Sequence, residues 1–222
     1  MTDNTTVDAL DLLTRGKHLE THTGLGARIL EAWGDMRYST RRLIEEKPSE
    51  HRLLFYVLLS DIIFFLSWSI KTVVAPVSGV REQVPLEVGF WLIAALLLRT
   101  ASMYTFSGVL TLAARLFGGR GSWRDNRAGI FWGALVAAPF GFLMALVTVS
   151  MAYLEPHFPL LREDWVALPP YWISLVPFLW FISLGMAEAN GFRRNAIPFL
   201  VMSAIALAGM LLAMYLRANG TL

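Results

Sequence analysis

Apolar residues gather along the chain in five long blocks, each near the roughly twenty residues that a helix needs to cross a bilayer. The blocks run over 53–74, 88–117, 128–154, 171–187 and 197–216. They predict an all-α fold, a polytopic membrane helix bundle with five transmembrane helices. The second and third blocks exceed the minimum length and have room to tilt. Pro198 falls in the first turn of the fifth, where its missing N–H costs nothing. Glu155, Pro156, Pro159, Glu163, Asp164, Pro169 and Pro170 mark a polar loop between the third and fourth.

The polar opening divides in two. Residues 1–25 lack sustained periodicity and predict a mobile arm. No short apolar region follows a basic start, so the pattern is not that of a cleavable signal and the first span reads as an uncleaved anchor. Over 26–47, Ile29, Trp33, Met36, Thr40, Leu43 and Ile44 recur at helical spacing and predict one amphipathic helix. Trp33, Arg37 and Arg41 would suit a helix lying on the inner leaflet. The same stripe would equally suit packing against the bundle's own cytoplasmic end. Residues 48–222 then form the membrane domain.

Basic residues set the expected orientation, because Lys and Arg near span ends are retained on the cytoplasmic side. Arg28, Arg37, Arg41, Arg42, Lys47 and Arg52 precede the first span; Arg115, Arg120, Arg124 and Arg127 join the second to the third; Arg193 and Arg194 join the fourth to the fifth. The opposite side has Lys71, Arg81, Arg162 and Arg217. The N-terminus is therefore expected inside and the C-terminus outside. Trp68, Trp91, Tyr153, Tyr171, Trp172 and Tyr215 lie near the outer span ends, where amphipathic rings prefer the interface.

Composition agrees with a bilayer as solvent. The 222 residues are 55% hydrophobic and only 16% charged, against about 25% charged in a soluble domain. The absence of cysteine excludes disulfides and thiolate chemistry. A net charge of +2 gives no support to nucleic-acid binding.

The third block carries Gly129, Gly133, Ala137, Gly141 and Ala145 at four-residue intervals. Lipid tails give helices no hydrophobic reason to associate, so a groove of small residues supplies close backbone contact instead. This helix is expected at the centre of the bundle, although the same ladder would serve self-association. Pro139 interrupts it and leaves the carbonyls of Leu135 and Val136 short of partners.

Asp61 and Arg99 fall inside the predicted hydrocarbon layer, each at a cost of about 2.5–3.5 kcal/mol. With the inner ends of the first two spans taken as level, Asp61 leans inward and Arg99 outward, so no ion pair is expected. Asp61 is expected to bond instead to a polar stripe on the second span. Tyr104, Thr105 and Ser107 lie at its depth, and the stripe runs through Thr100, Tyr104, Ser107 and Thr111. The stripe and the two charges read either as a structural clasp or as a route for an ion or polar solute.

Motifs of catalysis are missing, and an enzyme is not expected. His18, Glu20 and His22 have the four-residue histidine spacing of a zinc helix, but the glutamate is not in the zincin position, and no metal or other cofactor is expected. No phosphate loop or hydrolase elbow is present. Glu155 and His157 read as a solvated loop pair.

The run Ala114-Arg115-Leu116-Phe117-Gly118-Gly119-Arg120-Gly121-Ser122-Trp123, with Arg124 next and Ala137-Ala138-Pro139 in the following span, predicts a sharp cytoplasmic turn. Its glycines permit positive φ, and Ser122 is placed to cap the next helix. This run resembles the turn of the bacterial branch of the Yip1 family of integral membrane proteins. Trp33-Gly34-Asp35-Met36-Arg37, Arg41-Arg42-Leu43 and Pro48-Ser49-Glu50 resemble that family's arginine-rich approach to the membrane. The resemblance implies five spans, a cytoplasmic N-terminus and a bacterial inner membrane. The expected function is a non-enzymatic scaffold or accessory subunit. Its expected partners are membrane lipid and another membrane protein or a second copy. Solute or lipid transport and membrane shaping are the alternatives.

Overall fold

The computed structural model describes residues 24–74, 87–167 and 169–219, and every regular element among them is helical. In chain order these are α1 (Leu25–Gly34), α2 (Met36–Glu45), α3 (Glu50–Val74), α4 (Glu87–Leu116) and α5 (Trp123–Leu154). After a 3-10 turn at Pro159–Arg162 come α6 (Asp164–Ala167), α7 (Pro169–Ile173), α8 (Leu175–Ala189) and α9 (Ala196–Ala218). The arm before residue 24, with His18, Glu20 and His22, lies outside the described residues, as do Arg81 and the side chains of Trp91, Arg162, Tyr171, Trp172 and Arg217.

Among the described residues, three helices are long and apolar enough to cross a membrane: Glu50–Lys71, Ala94–Leu116 and Trp123–Leu154. Leu175–Ala189 is a shorter apolar helix, and α9 is apolar over Ala196–Gly209. The central helix is α5. It packs most extensively on α3 and α8, and it also touches α2 and α4. At 32 residues it is about 48 Å long, well beyond the roughly 30 Å of a hydrocarbon core. It begins five residues before the expected start because Ser122 and Asp125 form a capping box. The Ser122 hydroxyl accepts from the Asp125 N–H at 3.1 Å, and the Asp125 carboxylate accepts from the Ser122 N–H at 3.3 Å.

The expected single helix over 26–47 is instead a helical hairpin. Gly34 is a poor helix former. Asp35 leaves helical geometry at φ −142°, and its carboxylate accepts from the Tyr38 N–H at 3.0 Å, which starts a second helix. Met36, Thr40 and Leu43 of the stripe are buried, Ile29 and Ile44 are half-buried, and Trp33 is partly exposed. The α2 part of the stripe therefore packs on protein.

Burial is concentrated at the end of the bundle where the hairpin docks. Almost every residue from Ala128 to Ala137 is buried, as are Phe181, Ile182, Met186 and Ala187 of α8 and Leu53, Tyr56 and Val57 of α3. Toward the opposite end, Trp68, Leu143, Leu146, Val147, Tyr153 and Tyr215 are exposed. That apolar surface is suited to lipid. Helix α9 lies at the periphery against α8, where Trp180 and Phe199 meet edge to face at 5.5 Å.

Candidate functional site

The small-residue ladder is a backbone-to-backbone seam over part of its length. A Cβ on Gly129 would lie 2.5 Å from the Gly185 carbonyl oxygen, and one on Gly133 would lie 2.8 Å from the Ile182 Cα. Gly185 was not singled out by the sequence pattern, since it stands alone in its helix. Ala137 and Ala145 are buried, whereas Gly141 faces open space. The seam thus unites α5 and α8 only at the hairpin end.

Proline disrupts α5 at a point that the hairpin repairs. Pro139 supplies no N–H and its ring displaces nearby carbonyls. The indole of Trp33 donates to the Val136 carbonyl at 2.9 Å, and its ring packs on Phe140 at 4.9 Å. One turn nearer the α5 N-terminus, the Trp132 indole donates to the Ser39 hydroxyl at 3.0 Å. Trp33, still 37% exposed, is therefore a strut between α1 and α5.

Charged side chains of the hairpin are paired with one another and with the bundle. Glu46 is the hub. Arg28 Nη1 donates to Glu46 at 3.2 Å, Arg28 Nη2 lies 3.1 Å away as an ion pair without hydrogen-bond alignment, and Arg52 approaches to 2.7 Å. Partial burial works against the charged carboxylate. The hydrogen bond from Arg28 and the charges of Arg28 and Arg52 outweigh it and hold Glu46 below the ordinary carboxylate range. Arg42 bridges Glu31 and Glu46. Arg41 pairs with Glu188 of α8 at 2.7 Å, and Arg37 donates to the Phe192 carbonyl at 3.2 Å. Neither Arg37 nor Arg41 is directed solely toward lipid.

The glycine turn is a knot of buried amides. Gly118 (φ +81°) closes α4: the Gly119 N–H reaches the Ala114 carbonyl and the Gly118 N–H the Arg115 carbonyl, a Schellman motif. Gly119 and Gly121 do not take positive φ. They are required for close approach, because a Cβ on Gly119 would lie 2.5 Å from Asn190 Oδ1 and one on Gly121 2.4 Å from the Ala189 carbonyl oxygen. Asn190 accepts from the Gly121 N–H at 3.2 Å and donates to Asn126 Oδ1 at 2.6 Å. Both amides are buried. Among the arginines of the turn, Arg124 donates to the Lys47 and Pro48 carbonyls and Arg115 stacks over Trp123 at 4.9 Å. Arg120 is exposed.

Within the membrane layer, Asp61 and Arg99 do form an ion pair, contrary to the expectation. Arg99 Nε donates to Asp61 Oδ1 at 2.6 Å, and the Thr100 hydroxyl donates to Oδ2 at 2.8 Å. The reason is register. Contact between 61 and 99–100 carries the C-terminal turns of α4 past the start of α3, so the inner ends are not level. The Arg99 guanidinium also covers the Phe64 ring at 3.8 Å. Thr100 belongs to the expected stripe, but the hydroxyls of Thr105, Ser107 and Thr111 turn back to carbonyls of their own helix. Tyr104 packs edge-on against Phe131.

Among the described residues, no three His, Asp or Glu side chains are grouped as a metal ion would need. The geometry is that of an integral membrane protein: a helical bundle whose polar interior holds helices together. The sequence model of the Yip1 domain matches residues 37–216, and the chain belongs to the Yip1 family. The match begins at Arg37 in α2, so α1 with its Trp33 strut precedes it. No curated protein and no solved structure matches the chain.

Proposed function

We propose that this protein is a non-enzymatic membrane scaffold or accessory subunit whose contact surface is the hairpin end. The observation that carries this reading is the level of the ion pairs. Arg28 lies over the Trp132 ring at 5.7 Å, and Trp132 packs on Tyr56 at 5.2 Å. Ionised pairs at that level mark the polar end of the bundle, where α1, α2 and the knotted turn pack around the Trp123–Trp132 segment of α5. Such a body offers a shaped protein surface on one side of the membrane.

In this reading the chain crosses the bilayer five times. The stretch 169–189, interrupted at Ser174, reaches about 32 Å when summed as helix, and α9 has 23 residues. Arginines of three connections meet at the hairpin end, which supports a cytoplasmic N-terminus and an external C-terminus. The resemblance to the bacterial branch supports an inner-membrane location. The partner is another membrane protein or a second copy, with lipid around the far end. Both oxygens of Asp61 are engaged inside the bundle, which favours a clasp over a solute route.

Co-purification tests the scaffold reading. Full-length tagged protein extracted into nanodiscs is expected to carry a stoichiometric partner, and Arg120→Ala is expected to release it without lowering the melting temperature. Wild-type protein that emerges alone and monomeric would overturn the reading.

A further inference from the structure

Two loops at the hairpin end are stitched into one surface. The Arg120 N–H donates to the Asn190 carbonyl at 3.4 Å, and Asn190 is bound to Gly121 and Asn126. Three residues further, Arg193 and Arg194 precede α9, within about 11–14 Å of chain from Asn190. The Arg37 guanidinium reaches the Phe192 carbonyl, directly beside Arg193. Four arginines therefore converge on the joined loops, and the acid among these contacts, Glu188, is held by Arg41 at 2.7 Å with Arg37 at 3.8 Å. Arg120, Arg193 and Arg194 are exposed and make no ion pair among the described residues.

Apolar side chains flank this basic surface. Leu116 and Phe117 are 86% and 56% exposed just before the first loop, and Ile197 and Leu200 are 50% and 64% exposed just after the second. A ligand that matches both features carries a phosphate to meet the arginines and hydrocarbon to lie along the neighbouring helices. We propose that Arg193, Arg194 and Arg120 seat the phosphate headgroup of an anionic bilayer phospholipid. The site rests on the chain being in a bilayer and not on the scaffold reading. It needs no protein partner.

Native mass spectrometry of the full-length protein, loaded with equimolar phosphatidylglycerol and phosphatidylcholine, tests the site. Wild type is expected to retain phosphatidylglycerol preferentially. At about fivefold for each basic residue near an anionic headgroup, R193Q/R194Q lowers retention about 25-fold and R120Q alone about fivefold. K47Q removes one charge elsewhere at this end, as R120Q does in the site, and leaves retention unchanged. Equal retention of the two lipids by wild type would overturn the proposal, as would a loss in K47Q equal to that in R120Q. Displacement of phosphatidylglycerol by millimolar inorganic phosphate would assign the arginines to a free anion instead. Where R193Q/R194Q does not fold, R120Q decides.

Discussion

The two ends of the bundle solve helix association in different ways. At the hairpin end, glycines of α5 and α8 bring backbones into contact, buried amides join the turns, and ion pairs fasten α1 to α2 and α2 to the bundle. Toward the far end Gly141 meets open space and large apolar side chains are exposed. Where lipid already solvates a helix face, protein contact adds little. Where the chain must pass from hydrocarbon to water, packing and polar partners carry the structure. Stability is therefore expected to reside at the hairpin end, with Asp61 and Arg99 fastening α3 to α4 where the two regions meet.

Substitutions can break this contrast, and the clasp gives the largest effect. Asp61→Ala leaves the half-buried Arg99 in the membrane layer without its counter-charge and is expected to cost about 3–5 kcal/mol in detergent melts. Replacing both partners by leucine should recover most of that loss. A double variant as unstable as the single one would mean that the pair does not act as a unit.

Glycine substitutions compare the two ends directly. A Cβ on Gly185 would lie 2.2 Å from the Gly129 carbonyl oxygen, which is backbone and cannot swing aside. Gly185→Ala is expected to cost about 3 kcal/mol, the upper end for overpacking, whereas Gly141→Ala should stabilise by up to about 1 kcal/mol through helix propensity. Equal melting temperatures for the two would erase the distinction between the ends.

Trp33→Phe keeps an aromatic ring against Phe140 but removes the donor to the Val136 carbonyl. A loss of about 1–3 kcal/mol is expected, and no loss would show that another group serves that carbonyl. The smallest effect is acid sensitivity at Glu46. Its pKa is depressed in the folded protein, so its stabilising contribution is fully present above the ordinary glutamate pKa of about 4.3 and is lost as pH falls through the lower folded value. Glu46→Gln should flatten the melting temperature against pH in that acidic window, and an unchanged slope would assign the sensitivity to another carboxylate.

Much of the architecture was legible because it follows from local pattern. Apolar block lengths place α3, α4, α5 and α9 to within a few residues, Ser122 caps as its position suggests, and Gly129 and Gly133 lie in a packing seam. The Asp61–Arg99 pair was not legible, because it depends on how far α4 slides past α3, and no local pattern encodes that offset. Trp33 was ambiguous for a related reason: an apolar stripe looks the same whether it faces lipid or protein. Asn126 and Asn190 read as ordinary polar residues near turns until their mutual contact explains Gly119 and Gly121. The break at Gly34–Asp35 did carry a signal, a glycine followed by a capping aspartate, which the continuous stripe obscured.

The docked hairpin is the central claim, and the absence of native cysteine makes it open to a clean chemical test. Arg41→Cys and Glu188→Cys can be combined in full-length protein in native membranes, treated with a short bis-maleimide and read by intact mass. Docking predicts near-complete intramolecular cross-linking of the pair, since the native side chains meet at 2.7 Å. Two cysteines that each react with a monofunctional maleimide yet are not bridged would contradict it.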